Sequence, residues 1–205
     1  MFEIVKTLIE TRASTGQYDA SRPVSDDTVK ELVRLATRAP SAYNFQNWRF
    51  IAVRSAGAKV RLQAVAYGQP QVVDAPVTFI ICGTLAAYEG LPGALQPALD
   101  AGILKPATVD SWVAQASGSH RDNPQLQRDE AVRSASLAAM TLMFAAQGMG
   151  LATGAMSGFE PEGVVREFGL GDDEVPVMLV TAGYPRAGNW PQKPRKALDE
   201  VMQFA

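Results

Sequence analysis

One histidine and one cysteine are all this chain has of the residues that most often hold metals or act as nucleophiles. A structural zinc site takes about four His or Cys ligands and a disulfide takes two cysteines, so His120 and Cys82 build neither within one chain. A Ser-His or Cys-His hydrolase would depend on His120 itself. That residue lies in the polar stretch Ser117-Gly-Ser-His-Arg-Asp-Asn-Pro124, which predicts an exposed loop, whereas the histidine of a triad is held by packed partners. Charge of one sign is missing as well: 19 Lys+Arg face 21 Asp+Glu, a net charge of −2, with no block of like charges. This excludes the electrostatic footprint of a dedicated nucleic-acid or anionic-membrane binder and leaves a small molecule as the expected partner. No run approaches the roughly 20 apolar residues that span a bilayer. The start, Met1 to Arg12, mixes charges among apolar residues and lacks the apolar core of a signal peptide, so a cytoplasmic location is expected. An enzyme built from this inventory would draw its reactive group from a cofactor.

What the chain does have is enough apolar sequence for a core. With 205 residues, 47% of them hydrophobic, one domain over residues 1–205 can bury roughly 70% of its unfolded surface. Ile4, Val5, Leu8 and Ile9 have the spacing of an amphipathic helix. Ser25 reads as an N-cap ahead of Asp26 and Asp27, with Val29, Leu32, Val33 and Ala36 on one face and Pro40 as the stop. Trp48 to Val53 alternates as a strand, and Ala58 to Tyr67 has a helical pattern. Val77 to Cys82 is apolar on both faces, as a central strand is. From Ala86 to Asn123, Gly and Pro break up short helical pieces, predicting an excursion on the main scaffold. A long helix from about Arg128 to Gln147 has little polar face and is expected to be buried, with a contact between subunits as one place for it. Gly148, Gly150 and Gly154 mark a turn, Glu160 to Phe168 a short helix, and Val177 to Ala182 another apolar strand. The tail from residue 190 to 205 ends in Val201 and Phe204, which need somewhere to pack.

Gly148-Met-Gly150-Leu-Ala-Thr-Gly154 comes close to a dinucleotide fingerprint, but its third glycine is one position late. Its order of helix, turn, strand is also the reverse of what that fingerprint requires. Folding accounts for these glycines as a helix cap and a close strand crossing. Three other segments are harder to assign to folding. Thr11-Arg-Ala-Ser14 places a guanidinium and a hydroxyl just after a helix, a pairing suited to phosphate oxygens. Ala39-Pro-Ser-Ala-Tyr-Asn-Phe-Gln-Asn-Trp48 sets small and amide side chains between a helix and a strand. Lys193-Pro-Arg195 adds two cations near the end.

Taken in order, Arg12-x-Ser14, Ala39-Pro-Ser-Ala-x-Asn-x-Gln-x-Trp48, Ala75-Pro76, Met156-Ser-Gly-Phe-Glu-Pro161, Gly183-Tyr-Pro185 and Lys193-x-Arg195 resemble the FMN-dependent nitroreductase family. The resemblance covers nearly the whole chain apart from the 86–123 excursion. It implies an α+β fold, with a mixed, mainly antiparallel sheet sandwiched by helices, in an intertwined homodimer whose 190–205 tail reaches the partner subunit. By the same resemblance, Arg12, Ala13 and Ser14 bind the FMN phosphate with Lys193 and Arg195. Ser157 and Gly158 bring backbone N–H groups toward the flavin ring, Gln69 or its competitor Gln71 supplies an amide contact, and Pro40, Ser41 and Asn44 reach the flavin from the neighbouring subunit. No protein side chain is then required as the catalytic group. NADH or NADPH would reduce FMN, and a nitroaromatic, quinone or other electron-poor acceptor would be reduced in turn, by ping-pong hydride transfer. The same scaffold supports dehalogenation, flavin fragmentation, semialdehyde reduction and non-enzymatic flavin binding, and the sequence leaves these open. Two positions depart from the family pattern: Gly16 stands where a basic residue is common, and Asn47 where proline is usual.

Overall fold

The computed structural model describes residues 1–205. In chain order the elements are α1 (Phe2–Thr11), α2 (Asp26–Ala36), a short 3-10 turn (Ala42–Asn44), β1 (Trp48–Val53), α3 (Ala56–Val65) and α4 (Gln71–Asp74). Then follow β2 (Val77–Thr84), α5 (Leu91–Asp100), α6 (Pro106–His120), α7 (Pro124–Gly148), β3 (Ala152–Met156), α8 (Pro161–Phe168), β4 (Glu174–Gly183) and α9 (Leu198–Val201). One four-stranded sheet has the order β1-β2-β4-β3. All three strand pairs are antiparallel, and the parallel element is a single bridge between Ser14 and Thr153.

The unbroken apolar run of β2 belongs to a strand covered on both faces, as its sequence predicts. Val77, Phe79 and Ile81, with Val180 and Ala182 of β4, enter one core with Leu32 of α2 and Ala135, Ala139 and Leu142 of α7. Ile80, Cys82 and Leu179 enter the opposite core, with Leu62 of α3 and Val164 of α8. Period-two alternation thus feeds two helical layers from one sheet. Ser25 caps α2 by accepting a hydrogen bond from the Thr28 N–H. At the open end of the sheet, Arg49 of β1 pairs with Glu174 of β4. Burial raises the Glu174 carboxyl pKa, but bonds from Arg49 and from the Gly171 N–H, together with the Arg49 charge, outweigh it and hold the group below its usual range. Burial pushes the Cys82 thiol up to about 12, so this cysteine is a core residue.

Several expectations need correction. His120 is not in an exposed loop: it ends α6 and is only 5% exposed. The excursion is more regular than its Gly and Pro content suggests, because Pro106 opens α6 at a position where a missing N–H is harmless. Its helices also carry a small core of their own, with Tyr88, Leu91, Leu95 and Ala116 packed around Phe45. Helix α7 starts earlier than expected, at Pro124 under an Asn123 cap. Within the single chain it buries one side and leaves Leu137 42% exposed, which does not bear on burial against a partner subunit. Gly154 lies inside β3 rather than in a turn, and Leu198–Val201 forms a helical turn after which Met202 is extended.

Candidate active site

The chain leaves α1 at Thr11, becomes extended at Arg12, and runs along the outer edge of β3. The Thr15 N–H donates to the Thr153 carbonyl at 2.9 Å. This approach is so close that a Cβ at Gly154 would lie 2.3 Å from the Thr15 carbonyl oxygen, so the glycine is required by contact. Tyr18, 2% exposed, pins the same segment from inside, its hydroxyl bonded to the Thr15 carbonyl at 3.1 Å and to Thr181 Oγ1 at 2.7 Å. Burial drives its phenol pKa well above the usual range, against the opposing effect of the Thr181 bond, so it acts as a neutral anchor.

The tail returns to this place. Past β4, the Asp19 N–H donates to the Tyr184 carbonyl at 2.9 Å and the Arg186 N–H to the Gln17 carbonyl at 3.2 Å, around a bridge between Tyr18 and Pro185. Asn189 Oδ1 accepts from Gly16 and Gln17, and Gln192 Nε2 donates to the Arg12 carbonyl at 2.8 Å. Arg12, Ala13 and Ser14 therefore line one pocket with Lys193 and Arg195. No carboxylate lines it, and none of its three cations takes part in any of the ion pairs of the structure. Lys193 Nζ sits 4.8 Å from the Trp190 ring centroid, and Arg195 Nη1 donates to the Lys193 carbonyl at 2.6 Å. Three like charges gathered without a counter-ion make this a cationic pocket, and its chemistry suits an anion.

Beyond β3 lies the turn Ser157-Gly158. Both residues are exposed, and neither backbone N–H has an acceptor within the chain. Four residues of strand separate Thr153, opposite Ser14, from Ser157, a distance of about 13 Å. Gln69 is the amide at this turn: its Nε2 donates to the Gly158 carbonyl at 2.6 Å and to the Ala66 carbonyl at 3.0 Å. Gln71 stands behind it, donating to Gln69 Oε1 at 3.0 Å and contacting Met156 Sδ at 3.1 Å. Sequence alone favoured Gln69 with Gln71 as a close competitor, and of the two only Gln69 bonds to the backbone of this turn.

Pro40, Ser41 and Asn44 fall elsewhere. They precede β1, at the opposite edge of the sheet from β3, and Pro40 and Asn44 are exposed. Within one chain the structure does not bring them to the other candidates. The segment is conformationally unusual, since Tyr43, Asn44 and Gln46 have φ of 50°, 60° and 51°. It is held by the Ser41 hydroxyl, which accepts from the Gln46 N–H at 2.9 Å, and by Phe45, whose ring centroid lies 5.3 Å from that of His120. Asn47, 3% exposed, leaves its Oδ1 without a partner. Space around the Cα of Gly16 is open, so no packing constraint explains its lack of a side chain. Asn189 and Gln192 escaped the sequence reading because their partners lie 172 or more residues away, which no local pattern signals.

Comparison with known proteins converges on one family. A model described as "Nitroreductase family" matches residues 9–184. The "Putative NAD(P)H nitroreductase YodC" of Bacillus subtilis is 36% identical over 176 residues, covering 86% of this chain and 87% of its own. The crystal structure of "putative nitroreductase ydfN" from Bacillus subtilis superposes with a TM-score of 0.93 at 28% identity, covering 100% of both chains. That of a "putative nitroreductase in complex with FMN" from Exiguobacterium sibiricum gives 0.89 at 25% identity, covering 98% of this chain and 96% of its own. Sheet order, surrounding helices and full-length similarity agree, and the chain belongs to the nitroreductase family.

Proposed function

We propose that this chain is one flavin-binding unit of an FMN-dependent oxidoreductase that uses NADH or NADPH to reduce electron-poor small molecules such as nitroaromatics, quinones and enals, working as a homodimer. The observation that carries this reading is the pairing of a carboxylate-free pocket holding three cations with a turn of two unengaged N–H donors about 13 Å further along β3. Residues of this kind at that separation fit a ligand with a phosphate at one end and an electron-accepting ring at the other. Arg12, Lys193 and Arg195 would neutralise the phosphate, with the Ser14 hydroxyl and the Ala13 segment beside them. The Ser157 and Gly158 N–H groups would stabilise negative charge on the reduced ring, and Gln69 braces their turn. When bound, FMN supplies the hydride chemistry, taking hydride from NAD(P)H and giving it to the acceptor.

Pro40, Ser41 and Asn44 would complete the site from the neighbouring subunit, which gives a reason for their distance from the rest. Exposed Phe2, Ile4, Val5 and Ile9 on α1, and Leu198, Val201 and Phe204 in the tail, supply apolar surface for that association. The test is direct. Purified protein should be yellow, or become so with FMN, and should bleach anaerobically on addition of NADH or NADPH. A colourless protein that FMN cannot reconstitute would overturn the proposal, and FMN binding without NAD(P)H-dependent bleaching would reduce it to a flavin-binding module.

A further inference from the structure

Lys193 and Arg195 reach the pocket although no residue after Gly183 is buried. Within one chain, therefore, no apolar core holds them beside Arg12, and mutual repulsion of like charges drives them away. Asn189 supplies the tie. It is half-buried in a tail whose other residues after Tyr184 are exposed, and its amide is fully engaged. Oδ1 accepts from the Gly16 N–H at 2.9 Å and the Gln17 N–H at 3.0 Å, while Nδ2 donates to the Gln17 carbonyl at 2.8 Å and the Arg186 carbonyl at 3.0 Å. Three residues on, Gln192 makes its bond to the Arg12 carbonyl.

We infer that Asn189, seconded by Gln192, is a positioning residue for phosphate recognition: it sets the tail in place so that Lys193 and Arg195 stand beside Arg12 before the ligand arrives. The inference rests on the FMN reading and adds to it a means of assembly. Gly16 gives it its significance. The space beside Gly16 is empty, so that position contributes only its backbone N–H, which Asn189 accepts, and two of the pocket's three cations come from the tail instead. Ordering the tail in advance removes an entropic cost that the ligand would otherwise meet on binding.

The experiment compares FMN with riboflavin, which has the same ring and no phosphate, binding to flavin-free wild type, Asn189→Ala and Gln192→Ala, followed by flavin fluorescence. FMN affinity should fall about tenfold in Asn189→Ala and about threefold in Gln192→Ala, with riboflavin affinity unchanged in both. Equal loss for both flavins in Asn189→Ala would make its role merely structural and overturn the inference, as would FMN affinity within about twofold of wild type in both variants. Should Asn189→Ala fail to fold, Gln192→Ala decides alone, and an unchanged ratio of FMN to riboflavin affinity there overturns the proposal. Failure of the wild type to bind FMN would instead remove the FMN reading, so the two failures are distinguishable.

Discussion

Gly154→Ala is the sharpest test of how the cationic pocket is built. The added methyl would lie 2.3 Å from the Thr15 carbonyl oxygen, 2.9 Å from Thr181 Oγ1 and 3.4 Å from the Tyr18 hydroxyl. Relieving the first contact takes a shift of roughly 1 Å in a backbone segment, since no flexible side-chain end is there to yield. The shift loads the bond from the Thr15 N–H to the Thr153 carbonyl and the buried Tyr18–Thr181 pair. Overpacking of this kind costs about 1–3 kcal/mol, and weakening one buried hydrogen bond adds about 1, giving a loss of about 2–4 kcal/mol. Urea unfolding of the flavin-free protein measures this directly, and a titration with FMN should show weaker binding because Arg12 and Ser14 move with the segment. For the unfolding measurement Gly158→Ala is the control: its methyl would meet only Gln69 Nε2 at 3.4 Å and Tyr67 at 4.0 Å, ordinary contacts. If Gly154→Ala unfolds within about 0.5 kcal/mol of wild type, the close approach of Thr15 to β3 does not constrain this protein and the reasoning fails.

Three further outcomes are expected. Arg195→Ala should weaken FMN binding by about 1.5–3 kcal/mol, the range of a hydrogen bond to a charged group, and an unchanged dissociation constant would take Arg195 out of the site. Glu174 has a folded pKa below its unfolded value, so the stability it contributes is fully present above about 4.5 and is lost as pH falls through the depressed folded value. Urea midpoints measured across that acid window should fall less steeply for Glu174→Gln than for wild type, and parallel curves would refute this role. His120→Ala removes a ring packed against Phe45 and within the cluster of Tyr43 and Tyr88, and should destabilise the protein by about 2–4 kcal/mol. Turnover per bound flavin should remain near that of wild type, and its abolition would give His120 a chemical role.

The parts of the fold that were legible in the sequence are those whose cause is local. Ser25 with its two aspartates, the unbroken apolar run from Val77 and the alternation from Trp48 each sit in an element of the expected kind, because capping and burial periodicity act within a few residues. Gly154 was legible only in part. Its crossing partner was expected to be a strand, and it is the segment that carries Ser14, which no spacing in the sequence ties to β3. His120 misled because Ser117, Gly118 and Ser119 look like loop residues, whereas α6 turns the imidazole inward against aromatic rings far away in sequence. The motifs Arg12-x-Ser14 and Lys193-x-Arg195, far apart in sequence, come together to line one pocket. The amides that tie the tail down gave no signal, since a single Asn or Gln with a distant partner has no periodicity.

A tail without buried residues has a kinetic consequence. Within the single chain its polar ties can break while both cores and the sheet stay intact, so its opening there is a sub-global event of low free energy. The amide protons of Gly16 and Gln17, whose acceptor is on the tail, should then exchange with solvent well before that of Thr15, whose acceptor belongs to β3. On the proposed FMN reading, a ligand held by Lys193 and Arg195 would be released on the timescale of that local opening rather than of global unfolding, and its residence time would become a property of the last twenty or so residues of the chain.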